Sequence, residues 1–189
     1  MKYIKSSSYA EYVAEQVATN KRKLNKVWVT DEEIAAVAQC VKRLHIEVRT
    51  GVCHGVRNGY EVARFRELIC RDIFGTEISD TATLFDNVIQ WDFHEVKDEW
   101  ISHFDFIYSN SFDHSYDIEL CLSRWRKTLS PQGVCFLEWD PETRLPTDKA
   151  DCLGIEFNEL VAVAQKSFTP LEVLDVCGAL GRKILVLRS

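Results

Sequence analysis

Apolar residues recur at helical spacing twice within the first 44 positions, as Tyr9, Tyr12, Val13 and Val17 and then as Ile34, Val37, Ala38, Val41 and Leu44. That spacing predicts two amphipathic helices. Thr30 with Glu33 three residues on is a capping-box signature for the second, hydroxyl and carboxylate each satisfying one free backbone N–H. From residue 45 the period changes. Short apolar runs near 46–52, 72–78, 88–92, 104–109 and 133–139 alternate with helix-period stretches over 60–70 and 116–129. In the latter, Ile118, Leu122, Trp125 and Leu129 share one face, and "SPQG" at 130–133 predicts the turn that stops it. Phe157, Leu160, Val161 and Ala164 predict one more helix over 156–167. Strands alternating with helices point to parallel crossover units.

The last two apolar runs break this rhythm. "LEVLDVC" (171–177) and "KILVLRS" (183–189) are separated by only five residues, "GALGR". A parallel crossover needs about a dozen residues or more, so the pair predicts an antiparallel hairpin. The expected fold is α/β, a Rossmann-like seven-stranded, mostly parallel sheet with helices on both faces and an antiparallel C-terminal hairpin strand. At 189 residues the chain is expected to form one domain over 1–189, with 1–44 a helical N-terminal lid.

With 46% hydrophobic and 28% charged residues, the composition is that of a globular rather than a disordered chain. Every apolar run is too short to span a bilayer, and "MKYIKSSSYAEY" lacks the apolar core of a signal peptide, so a cytoplasmic location without a membrane partner is expected. Seven widely spaced cysteines with no C-x-x-C predict reduced thiols and no metal site. The net charge of −6 argues against a nucleic-acid partner. The charge is uneven: residues 1–44 carry +3 and the rest −9. The basic excess lies in "KRKLNK" (21–26), either a solvated loop or a contact for a phosphate or sulfate.

In open α/β sheets ligands bind beyond the carboxyl ends of the strands. At the first such end, "GVCHGVRNGYEV" offers Gly51 and Gly55, which permit positive φ and close approach of a ligand, while Asn58 and Glu61 can cap the next helix reciprocally. The helix N-terminus can then receive an anionic group, although a plain strand-to-helix connection explains the same glycines. Glu77 closes the second strand in "FGTEIS", 18 residues after Gly59, placed either to accept from ribose hydroxyls or to act as a solvated or capping acid. Asp92 in "VIQWDFHE" can accept from an adenine amino group with Trp91 or Phe93 packing on the ring; core packing is the other reading of those aromatics. "FDFIYSNSFDHSYD" sets Asn110, Ser111, Asp113 and His114 at the mouth of the site, with Asp113 or Ser115 available to cap the helix from 116. Imidazole titrates near neutrality, which makes His114 the first candidate base and His54 the second. No serine triad, metal-ligand cluster or phosphate loop is legible.

Together these residues, spread over about 45–189, resemble the class I S-adenosylmethionine-dependent methyltransferases. That family has a glycine-rich turn after the first strand, an acid ending the second, an Asp after the third, a Pro-Gly turn to which "SPQG" is similar, and an antiparallel last strand. The resemblance implies S-adenosylmethionine as cofactor, with Gly51, Cys53 and Gly55 facing its methionine part, Glu77 its ribose, Asp92 and Phe93 its adenine, and Asn110 nearby. It implies methyl transfer to oxygen or nitrogen of a small-molecule acceptor, since no large inserted domain is present and "SNSF" departs from the N-P-P-Y of nucleobase amino-methylases. The family's turn reads G-x-G-x-G with an acid two residues ahead. In "RTGVCHG", Cys53 stands at the middle glycine and Arg49 at the acid, so Arg49 or Arg57 becomes the candidate partner of the cofactor carboxylate. Two other functions fit the same pattern: a non-catalytic binding module on this fold, and a nicotinamide-dependent oxidoreductase, against which the C-terminal hairpin and the missing G-x-G-x-x-G both weigh.

Overall fold

Alternate residues of the central strands enter two different cores. Val52 and Ile107 face one side of the sheet with Phe104 and Leu137, where Leu122, Trp125 and Leu160 cover them. Cys53, Phe106, Tyr108 and Phe136 face the other, under Ile34, Val37, Val62 and Phe65. A strand buried on both faces is what a sheet with a helical layer on each side requires.

The computed structural model describes residues 1–177 and 181–189. The strands are β1 (Gly51–His54), β2 (Ile73–Glu77), β3 (Val88–Gln90), β4 (Phe104–Ser109), β5 (Leu129–Trp139), β6 (Thr169–Cys177) and β7 (Arg182–Arg188). They form one seven-stranded sheet in the order β3-β2-β1-β4-β5-β7-β6. All pairings from β3 to β5 are parallel, and β7 runs antiparallel to both β5 and β6. The α/β fold with its antiparallel hairpin strand is thus as expected; residues 178–180 of the connection lie outside the described residues. Strand order reverses between β1 and β4, which makes their carboxyl ends the switch point where such sheets bind ligands.

The helices are α1 (Tyr9–Arg22), α2 (Asp31–Arg43), α3 (Tyr60–Leu68), α4 (Ile118–Thr128) and α5 (Phe157–Ala164). Thr30 and Glu33 form the reciprocal capping box of α2. The N-cap of α4 is Asp117, which accepts from Leu120 N at 3.0 Å, so neither Asp113 nor Ser115 has the expected capping role. Outside the main sheet, residues Lys2–Tyr3 pair antiparallel with Leu153–Gly154. Among the described residues no helix is long and apolar enough to cross a membrane.

Two local expectations change. "SPQG" is a bulge within β5 rather than a turn before it: Phe104 faces Leu129 while Phe106 faces Val134, so five positions of β5 advance against two of β4. Pro131 is tolerated there because it is exposed and has no ladder bond to donate. The first strand begins at Gly51 instead of 46, since Leu44, Ile46 and Val48 pack against the second core without joining the sheet.

Candidate functional site

Because β1 ends at His54, the turn that follows it is Gly55-Val56-Arg57-Asn58-Gly59, four residues downstream of its expected place. Three of its residues have positive φ: Gly55 at 75°, Arg57 at 46° and Gly59 at 71°. Glycine is required at 55, where an added Cβ would stand 2.6 Å from Ser111 Cβ. Gly51 instead opens β1 with its backbone against Phe106, and Cys53 is buried in the strand facing the α2 and α3 side. Neither lines a described cavity, so the structure does not place them with the other candidate cofactor residues. The turn reads G-x-R-x-G, with Arg57 at the middle position and Cys53 two residues ahead of the first glycine. Arg49 lies at the opposite end of β1, its side chain 78% exposed and 3.7 Å from Asp105.

Asn58 and Glu61 do not cap α3 reciprocally. The N-cap is Gly59, with no side-chain bond; Asn58 Oδ1 accepts from Tyr60 N at 3.3 Å, and its amide donates to the carbonyls of Leu24 (3.0 Å) and Lys26 (3.2 Å). The basic segment 21–26 is thereby tied to the turn. Glu61 is buried beneath it, and burial lifts its carboxyl to about 7 although the Arg57 charge opposes the rise.

Glu77, buried at the end of β2, accepts from Arg57 N at 2.9 Å on one oxygen and from Ser79 N at 3.1 Å on the other. Each oxygen keeps a further lone pair. Asp92 is more heavily engaged: Oδ1 accepts from the backbone N–H of His94 at 2.9 Å and faces His94 Nδ1 at 2.7 Å, while Oδ2 accepts from the Tyr9 hydroxyl at 2.8 Å. Burial pushes the Asp92 carboxyl up, but the bonds from His94 outweigh it and hold the group below its ordinary value. His94 Nε2 lies 2.8 Å from Ser115 Oγ, completing an Asp–His–Ser chain that no sequence spacing revealed. Ser115 is fully buried, its oxygen also accepts from Asp117 N, and Tyr116 stacks on His94 at 4.0 Å. With the hydroxyl sealed off, the chain serves to fix Asp92.

Gly55, Arg57, Glu77, Asp92, Phe93 and Ser111 converge on one cleft. Tyr12, Gln16 and Asn20 of α1 close it to about 40 Å³. The helix is fastened there by Tyr9 on Asp92, by Lys21 on Asp80 at 2.9 Å, and by Asn20, whose side-chain oxygen accepts from the Thr81 hydroxyl at 2.7 Å.

A second cavity of about 190 Å³ shares Arg57, Ser111 and His114 with the cleft and extends over the carboxyl ends of β4 and β5, past Asn110 and Glu138. His114 stands at the boundary. Its Nδ1–H donates to Ala150 O at 2.9 Å, leaving Nε2 as the acceptor of the neutral ring. The same carbonyl accepts from Gln16 Nε2 at 2.8 Å. His54 is not at this boundary: it is 3% exposed, stacked on Trp125 at 4.5 Å, bonded to Thr76 Oγ1 at 2.8 Å, and pushed down to about 3 by burial. It lines no described cavity. Of the two candidate bases, only His114 faces the site.

Arg57 carries the clearest unmet demand. Its Nε is buried without a hydrogen-bond partner among the described residues, and burial draws its pKa below the usual value despite the neighbouring acids. Asp113, His114 and Asp151 bring ligand-type atoms within 4.8 Å of one another, concentrating negative charge beside the imidazole. Glu138 and Asp140, at the end of "LEWD", went unnoticed in the sequence, although an acid pair closing a strand is the same kind of signal as Glu77.

No protein-family model matches the chain, nor does any curated protein. Solved structures do. The 1,6-didemethyltoxoflavin N1-methyltransferase of Burkholderia thailandensis, with 1,6-didemethyltoxoflavin and S-adenosylhomocysteine bound, is similar with a TM-score of 0.70 at 16% identity, over 99% of this chain and 93% of that one. The sugar N-methyltransferase KedS8 of Streptoalloteichus gives 0.70 at 16% identity, over 100% and 99%. The N-methyltransferase NodS of Bradyrhizobium japonicum, in complex with S-adenosylhomocysteine, gives 0.68 at 13%, over 92% and 98%. At such identities the likeness establishes the fold: the chain folds as the class I methyltransferases do.

Proposed function

We propose that the protein is an S-adenosylmethionine-dependent methyltransferase acting on a small molecule. One observation carries the reading: at the switch point of the sheet, the turn after β1 delivers the Arg57 N–H to Glu77, aiming an acid at the place where this fold accepts ribose hydroxyls. The residues present suit that cofactor. Arg57 has an unanswered buried donor for its carboxylate, Gly55 lines the cleft, and both oxygens of Glu77 have accepting capacity to spare. Asp92 can receive the adenine amino group once the Tyr9 hydroxyl leaves it, with Phe93 beside the ring. Asn110, at the end of β4, borders the second cavity.

The cofactor supplies a methyl group already activated by its sulfonium. The chain's part is then to hold a nucleophile in line with it. Ser111 keeps the turn in shape by donating to Gly55 O at 3.0 Å, and His114 Nε2 is the acceptor for the nucleophile's proton. Ligand pockets measure roughly 300–1,000 Å³, far more than the 40 Å³ of the closed cleft, so α1 acts as a lid that must lift for binding. The 1,6-didemethyltoxoflavin bound by one structural neighbour and the sugar named for another favour a small-molecule substrate. Six described cysteines are free, which suits a reducing, cytoplasmic setting.

The test is calorimetric titration with S-adenosylmethionine, S-adenosylhomocysteine and a nicotinamide dinucleotide. Binding of the two sulfur compounds alone is expected. Preference for the dinucleotide, or no binding, would remove the reading and leave a binding module on the fold.

A further inference from the structure

We propose that the methyl acceptor is a cationic amine, held by carboxylates in the second cavity, and that the reaction is N-methylation; this rests on the methyltransferase reading above. Sharing Arg57, Ser111 and His114 with the cleft, the cavity puts the nucleophile of anything it holds at the boundary where methyl transfer would occur.

The lining carries Asp113, Glu138, Asp140, Glu142 and Asp151. Two of its own cations, Arg182 and Lys23, are already engaged. Arg182 is bonded to Asp140 at 2.6 Å, to Glu33 at 3.3 Å and to Trp28 O at 3.0 Å, and Lys23 lies 3.5 Å from Asp151. Arg57 sits at the boundary, between the cleft and the cavity. Among the described residues neither Asp113 nor Glu138 has a cation within ion-pair distance.

Glu138 is the sharpest indicator. It is 7% exposed, one oxygen accepts from the Tyr108 hydroxyl, and the other has no donor among the described residues. A buried carboxylate lacking a counter-ion is unfavourable. Burial, with the nearby Glu33 charge adding to it, lifts this carboxyl to about 8. Asp113 is raised as well, first by desolvation and then by Asp151, against the pull of His114. Burial disfavours the charged form of both acids, and an ammonium entering the cavity would favour it. Trp28, 48% exposed on the rim, offers a ring over which Lys26 already places its ammonium at 5.4 Å. A neutral hydroxyl would leave the acids unmatched, and an anion would be repelled.

The chemistry balances. A bound primary or secondary ammonium gives one proton to His114 Nε2, which Asp113 and Asp151 flank. The freed lone pair forms the nitrogen–carbon bond as the carbon–sulfur bond breaks, with that bond's electrons remaining on sulfur. The product leaves as a methylated ammonium.

The experiment measures binding to protein saturated with S-adenosylhomocysteine, using two matched trios: phenethylamine, 2-phenylethanol and phenylacetate; tryptamine, tryptophol and indole-3-acetate. At least one amine is expected to bind ten times or more tightly than its alcohol and its acid. Glu138→Gln, which keeps an acceptor for Tyr108, should erase the preference while sparing S-adenosylhomocysteine; Asp113→Asn is the second variant should the first fold poorly. Equal binding across a trio, preference for the acids, no amine binding at all, or an absolute need for magnesium would overturn the proposal. Failure of S-adenosylhomocysteine itself to bind would instead bring down the methyltransferase reading, and this inference with it.

Discussion

Replacing Glu77 by Gln removes one acceptor and adds one donor at a point where two backbone N–H groups converge. The Arg57 and Ser79 amides each hold a different carboxylate oxygen, at 2.9 and 3.1 Å. A side-chain amide has one accepting oxygen, so whichever way it turns, an N–H meets an N–H. A hydrogen bond to a charged group contributes about 1.5–3 kcal/mol, and losing one should lower stability by that order. For a chain of this size the melting temperature should fall by roughly 3–12 °C. Cofactor binding loses the corresponding bond from ribose, which weakens affinity roughly 10- to 150-fold. Thermal unfolding and calorimetric titration with S-adenosylhomocysteine read the two effects separately. A Gln variant that melts lower yet binds within threefold of the parent would refute the reasoning, because Glu77 would then only organise the turn.

Tyr9→Phe should release Asp92 Oδ2 and so tighten S-adenosylhomocysteine binding roughly two- to tenfold, from a bond contributing about 0.5–1.5 kcal/mol; unchanged or weaker affinity by calorimetry counts against the latch. Arg57→Gly should relax a left-handed residue that strains the turn by about 1 kcal/mol and raise the melting temperature slightly, while weakening S-adenosylhomocysteine about tenfold or more; a variant less stable than the parent would contradict this. Stability should decline from pH 5 to 8. Glu61 and Glu138, raised from 4.5 to about 7 and about 8, bind protons in the folded state that the unfolded chain has lost, whereas His54, lowered from 6.5 to about 3, favours the folded state as pH rises only up to about 6.5. The two acids outnumber the one histidine below pH 6.5 and keep the slope negative above it. Melting curves across that range check the slope, and Glu138→Gln should remove its share.

The architecture was legible because it rests on period and length. Five residues cannot carry a parallel crossover, and that fact alone fixed the sense of the last strand. Glu77 and Asp92 were legible as candidates because β2 and β3 begin and end within a residue or two of their apolar runs. The glycine turn was misplaced because "LHIEV" is apolar for a different reason: it covers the α2 and α3 core without joining the sheet, and β1 is only four residues long. Helical spacing in α1 gave its buried Tyr12 but not the contacts of exposed Tyr9 with a residue 83 positions away. The Asp92–His94–Ser115 chain was invisible for the same reason, since only folding brings Ser115 to the imidazole. Arg57 entered as one of two candidate arginines, and a left-handed arginine has no signature short of the backbone itself.

The segment from Asp148 to Asp151 is gripped almost entirely by α1 and the residue after it. Glu11 accepts from Lys149, Gln16 donates to Ala150 O, and Lys23 stands beside Asp151. That same Ala150 carbonyl sets the tautomer of His114. If the helix lifts as proposed, three supports are withdrawn from the segment that aims the proposed base, so in kinetic terms an open protein would be an uncommitted one. On that proposal, entry and exit would happen with the imidazole loosely held, and the movement that shuts the ligand in would bring the proton acceptor to its post.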